Sequence, residues 1–187
     1  DDVDDCVGAL DDCGVCNGDS TSCLAQLSLG QFDSDGSVEV LYNFGDEVAG
    51  FQFNISGLSL TNASGGAAED AGFSVTASNG VVLGYFDIGT LNTISSGSGV
   101  LTNVNFDSID SNSTCLSLGN GSVYGPGASE FDTTVNSDCV DHGTPDCAGV
   151  YYGTLVNDCA GVCDGDSWIS DCGCVAADND GNDCDDC

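Results

Sequence analysis

Two short segments hold the residue types from which chemistry could be built. Asp12 to Ser20 reads DCGVCNGDS and Asp158 to Ser167 reads DCAGVCDGDS, differing mainly by one inserted residue. Each follows a reduced copy, DCVGAL from Asp5 and DCAGVYYG from Asp146, in which Leu10 and Tyr151 stand where the second Cys would be. Carboxylates, thiols and glycines at this spacing suit two chemistries. One is oxygen ligation of a hard divalent cation, for which short Asp side chains on Gly-containing loops are good ligands. The other is disulfide cross-linking. A matched repeat at both ends of a chain also marks a unit built for extension.

Charge sharpens the first option. The chain has 187 residues, 31 of them Asp or Glu, with no Lys, no Arg and one His, a formal charge of −31. Such a surface excludes nucleic acids, which require cations against phosphate, and it disfavours anionic membranes and phosphorylated cofactors. Residues 1–23 and 138–187 together carry 12 of the 13 Cys and 19 of the acids. Two unit charges ~4 Å apart repel by about 1 kcal/mol even in water, so carboxylates this dense call for counter-ions. Calcium is the expected one. Its candidate ligands are Asp12, Asn17 and Asp19 at one end, and Asp158, Asp164, Asp166 and Asp171 at the other. The bland alternative is a solvated acidic surface that keeps the protein in solution.

The C-terminal DNDGNDCDDC, Asp178 to Cys187, resembles a thrombospondin type 3 calcium repeat, with Asp178, Asp180 and Asn182 on its spacing and Asp183 and Asp186 beside them. An EF-hand would need a Glu at the twelfth loop position, and none is supplied. The complete N-terminal copy is similar to the CGVCGGDxSxC segment in the cysteine-rich region of ADAM-type metalloproteases with thrombospondin motifs; Cys13, Cys16, Asp19 and Cys23 fall on that pattern. The HExxH motif of the protease itself is absent.

Thirteen Cys imply an oxidising compartment. Cys115 and Cys139 could staple the last strands of the central region, leaving eleven in the tails. Cys13, Cys16, Cys23, Cys159, Cys163, Cys172, Cys174, Cys184 and Cys187 are expected in disulfides whose connectivity spacing does not define. Eleven cannot all pair within one chain. Cys6 and Cys147, whose copies lack a second Cys, are the candidates for a bond to another chain. Zinc is disfavoured because the CxxC pairs at Cys13/Cys16 and Cys184/Cys187 lie at opposite ends. A redox role is disfavoured because neighbouring carboxylates raise a thiol pKa.

Catalysis finds little support. His142 is the sole imidazole and reads as a surface residue of the DHGTPD linker; without Lys, Arg or a second His, a Ser or Cys nucleophile lacks an activating partner. The four Glu residues, Glu39, Glu47, Glu69 and Glu130, lie in no aromatic cluster that would raise a carboxyl pKa for glycoside chemistry. Asn54, Asn62, Asn112 and Asn120 open N-x-Ser/Thr sequons and are candidate glycan acceptors. Asn54 alone lies mid-strand.

The elements that must position these groups lie between the tails. Residues 24–137 form the expected core domain, between an N-terminal tail of 1–23 and a C-terminal tail of 138–187. Val38, Val40 and Tyr42 alternate with polar residues, as do Phe51, Phe53 and Ile55, then Phe73, Val75 and Ala77, then Leu83 and Tyr85, then Val100, Thr102, Val104 and Phe106. Period-two runs bounded by Gly, Asn, Ser and Asp predict roughly eight or nine short strands in an antiparallel β-sandwich. The fold class is thus all-β, with irregular disulfide-rich tails. The phrases VAGFQFNISG and GSGVLTNVNF, within Leu27 to Phe106, resemble the cohesin-like sandwich modules of secreted and cell-surface proteins. That resemblance implies a cohesin-like or jelly-roll-like fold that binds proteins or glycans or serves as a structural bead.

The expected function is therefore that of an extracellular structural protein, a calcium- and disulfide-stabilised subunit that joins copies of itself end to end into a filament or surface fibre. The alternative is a glycan- or protein-binding adhesion module excised from a large cell-surface protein. No run approaches the ~18 apolar residues of a membrane helix. Beginning at Asp1, the chain reads as a mature product or an excised piece of a longer precursor.

Overall fold

A computed structural model describes residues 7–9, 16–86, 92–136 and 139–179. The chain divides into two compact units, Asp1–Asp141 and His142–Cys187.

The first unit is a β-sandwich. One sheet takes β1 (Leu24–Asp33), β2 (Ser37–Phe44), β4 (Leu58–Ser64), β7 (Gly97–Ile109) and β10 (Asp132–Val135) in the order β10-β1-β2-β7-β4. The other takes β3 (Gly50–Ser56), β5 (Ser74–Ser78), β6 (Val81–Tyr85), β8 (Ser113–Ser117) and β11 (Val140–Asp141) in the order β11-β8-β3-β6-β5, with β9 (Val123–Tyr124) also paired to β3. Pairing is antiparallel except between β1 and β10. The period-two residues do what their spacing requires. Leu27, Val38, Val40, Phe44, Phe53, Ile55, Val82 and Val104 are each 2% exposed or less and meet in one core, where burying a side chain of this size is worth about 1.5–3 kcal/mol.

Two local irregularities depart from simple alternation. Val40 pairs with Thr102 while Leu41 pairs with Val100, so Leu101 is an extra residue in β7. This bulge lets Leu101 and Thr102 both be buried in succession. The short helix α1 (Gly66–Asp70) lies against it, and a side chain at Gly66 would overlap the Leu101 carbonyl. In β6 the sequence reading has the wrong face. Leu83 and Tyr85 point outward, 38% and 44% exposed, while Val82 and Gly84 face the core. The cause is steric, since the Phe51 ring occupies the space that a Cβ on Gly84 would take.

Cys115 of β8 is bonded to Cys139, next to β11, fastening the edge where Val140 pairs with Thr114. The link spans 24 residues, and closing a loop of that order removes about 3 kcal/mol of unfolded-chain entropy.

The second unit has a different basis. Its regular structure is a hairpin of β12 (Trp168–Ser170) and β13 (Gly173–Val175). Among its described residues only His142 and Val175 are buried. So small an apolar core needs covalent help, to which the disulfides Cys147–Cys163 and Cys159–Cys174 contribute.

Replacing Gly84 with Ala forces a methyl group into the Phe51 ring. Overpacking of this kind costs about 1–3 kcal/mol, whereas Leu83→Ala on the outer face should cost under about 0.5 kcal/mol. Urea denaturation of the intact protein measures both. Equal midpoints for Gly84→Ala and the parent would show that the ring does not lie over Gly84.

Candidate functional site

The aspartate that opens each C-terminal repeat is the centre of its loop. Asp146 Oδ1 accepts the N–H groups of Ala148 and Val150 at 3.0 and 2.9 Å, and its Oδ2 accepts that of Leu155 at 3.2 Å. Twelve residues on, Asp158 does the same: Oδ1 accepts Ala160 and Val162 at 2.9 and 2.8 Å, and Oδ2 accepts Ser167 at 3.1 Å. The main chain repeats with them. The N–H groups of Asp146 and Asp158 donate to the carbonyls of Val150 and Val162, both at 2.9 Å. Tyr152 and Asp164 share a left-handed backbone, with φ of 59° and 54°. Gly153 and Gly165 leave room for the carboxylate, because a Cβ at either would overlap Oδ2 of the repeat's own Asp. The Asp-to-Gly spacing is thus a packing requirement.

Three N–H dipoles aimed at one carboxylate favour its charged form. The Val162 N–H above all holds Asp158 below its ordinary value, and the Val150 N–H does so for Asp146, partial burial opposing both. Asp158, expected above among the calcium ligands, organises its own loop through these bonds.

The disulfides run from repeat to repeat. Cys147, second in the first repeat, bonds Cys163, sixth in the second; Cys159, second in the second repeat, bonds Cys174 in β13. Cys147 does pair outside its own repeat, but within the same chain, which corrects its expected intermolecular role. The reduced copy has Tyr151 instead of a second Cys, so its one thiol reaches forward to the next copy. Cys16, Cys23 and Cys172 are also disulfide-bonded.

At the other end, Asp19 Oδ1 accepts the hydroxyl and the N–H of Thr21 at 2.5 and 3.2 Å, and the hydroxyl above all lowers its pKa. Asn17 has the left-handed backbone of Asp164, with φ of 53°, and its N–H donates to the Ala9 carbonyl as that of Asp164 donates to the Val156 carbonyl. The two ends share a turn as well as a sequence. Asp164, Asp166, Asp171 and Asp178 are exposed. Among the described residues no three His, Cys, Asp or Glu side chains converge as metal ligands. Asp12, Asp180, Asn182, Asp183, Asp186, Cys6, Cys13, Cys184 and Cys187 lie outside the described residues.

His142 is not the surface residue its linker suggested. It is 5% exposed, with Nδ1 2.9 Å from the Tyr152 hydroxyl and its ring edge-on to Tyr151 and Tyr152. The tyrosine that replaces the missing Cys therefore packs on the sole imidazole. Of the sequons, Asn112 and Asn120 are exposed in turns; Asn62 is exposed within edge strand β4, and Asn54 is half-buried on the outer face of β3.

An exposed apolar group went unnoticed in the sequence because alternation alone does not say which face is inner. Leu83 and Tyr85 of β6 and Tyr124 of β9 are 38–44% exposed on strands that both pair with β3, where Leu83 is opposite Gln52 and Tyr124 opposite Gly50.

No protein-family model matches the chain, and no curated protein matches it. Several solved structures are similar to it. CaCohA2 from Clostridium acetobutylicum is 17% identical, over 63% of this chain and 90% of that one, with a TM-score of 0.44. A non-cellulosomal cohesin from the hyperthermophilic archaeon Archaeoglobus fulgidus is 14% identical, over 62% and 88%, with a TM-score of 0.43. A chain of a type I cohesin–dockerin complex from Clostridium thermocellum is 7% identical, over 66% and 96%, with a TM-score of 0.45.

Depressed pKa values give the repeat loops a defined pH response. The carboxylate's contribution is complete above the ordinary aspartate value of 3.8 and is lost as pH falls through the lower folded value. The amide protons of Ala160 and Val162 should therefore shift together on acidification with a midpoint below 3.8. Asp158→Ala should abolish that titration and the protection of Val162 from hydrogen exchange, while Asp164→Ala leaves both intact. A midpoint above 3.8 would contradict the cradle.

Proposed function

We propose that this protein is an extracellular structural module, with a β-sandwich as its bead and Cys–Asp repeats as covalently chained connectors. The observation that carries this reading is the forward disulfide Cys147–Cys163, which joins non-equivalent positions of successive repeats built on the same aspartate cradle. A unit linked in this way can be extended by adding copies and resists unfolding despite its small apolar core. The buried His142, held by two tyrosines, is in keeping with a non-catalytic role.

In this reading copies join end to end. Repeat-equivalent apolar side chains are available for the contact: Val150 and Val162 are 55% and 56% exposed, and Val156 and Trp168 are 73% and 41% exposed. Ends this acidic approach one another only when a counter-ion offsets their repulsion, and calcium, expected from the terminal DNDGND sequence, enters as that counter-ion. The oxidised repeats suit an extracellular setting.

Analytical ultracentrifugation of the oxidised protein tests the assembly. Calcium should shift it to larger species, EDTA should return it to the monomer, and Val162→Asp should block the shift. A single unchanged boundary with and without millimolar calcium would defeat the end-to-end reading and leave the repeat linkage itself standing.

A further inference from the structure

The outer face of the five-stranded sheet carries a chemistry found in neither tail. Register places Gln26 beside Thr134 on β10 and beside Asn43 on β2, and Asn43 beside Ser98 on β7. These four exposed residues form a row across four adjacent strands, each an uncharged hydrogen-bonding side chain. The next row brings Ser28 beside Leu41. The groove over these rows has a volume of about 670 Å³, and no Asp or Glu lines it. The carboxylates two residues further along, Asp132 and Glu39, mark its ends, and Glu39 is turned to the Gln31 N–H at 3.1 Å.

We propose that this groove binds a neutral oligosaccharide. Asn43 Nδ2 donates to Gln26 Oε1 at 3.3 Å, which orients both amides and leaves the Asn43 carbonyl as an acceptor and the Gln26 NH₂ as a donor. Sugar hydroxyls both donate and accept, so a row of fixed amides and hydroxyls matches them in kind. Charge selects against the competitors. An acidic polysaccharide is repelled by the molecule as a whole, and a cation finds no carboxylate in the groove. A protein partner would rely on a large apolar anchor, and the apolar residues of the two rows are Leu41 and its neighbour Val100 on β7, both half-buried in the sheet.

Affinity electrophoresis of the intact oxidised protein tests this, using native gels containing glucomannan, galactomannan, laminarin or hydroxyethyl cellulose, with alginate as the acidic control. At least one neutral polymer should retard the protein and alginate should not. The double variant Gln26→Ala/Asn43→Ala, changed only at exposed positions, should bind about tenfold more weakly, as expected for two lost hydrogen bonds. Leu83→Ala on the other sheet should bind as the parent does. No retardation in any neutral gel, retardation equal in the double variant, or retardation by alginate would each overturn the proposal. Calcium-dependent assembly is read separately and is unaffected by any of these outcomes.

Discussion

A chain without lysine or arginine must stabilise its carboxylates with N–H and O–H dipoles, and much of the described structure follows from that constraint. Asp146 and Asp158 each accept three main-chain N–H groups. Asp33 accepts the Asp35 N–H, Glu39 that of Gln31 and Glu69 that of Gly65. Asp19 and Asp110 are held by Thr and Ser hydroxyls, and Glu130 by Ser122. In most proteins some of this work falls to ion pairs. At Asp19, Asp33, Asp146 and Asp158 the carboxylate so held also fixes the turn or loop that supplies its donors.

The two units apply the constraint differently because they differ in apolar content. The sandwich has a core of its own, and acids such as Asp33 and Glu69 bond the N–H groups of nearby turns. The second unit has almost no core. Its order comes from aspartate cradles, glycines that admit them and disulfides that pass from one repeat to the next. Neither device requires a large buried surface, and both recur twelve residues apart, at Asp146 and Asp158.

The two outer faces of the sandwich are also unlike. One sheet presents Leu83, Tyr85 and Tyr124; the other has a groove crossed by a row of amides and hydroxyls, with no carboxylate in its lining. The two faces therefore differ in chemistry and lie on opposite sheets.

Strand positions in the sandwich were legible in the sequence because a half-buried strand imprints its period on the residues, as with Val38 and Val40 or Phe51, Phe53 and Ile55. The repeats were legible as well, since their glycines and aspartates recur. Tertiary structure alone decided which face of β6 is inner, because the answer lies in the Phe51 ring, which is distant in sequence from Gly84. It also decided that Cys147 pairs forward within the chain and that His142 is buried under Tyr151 and Tyr152. It gave Asp158 a cradle of N–H donors. Composition counts charges and spacing suggests ligands, but whether a carboxylate faces a metal or its own main chain depends on the path of the backbone around it, and that path is set only when the chain folds.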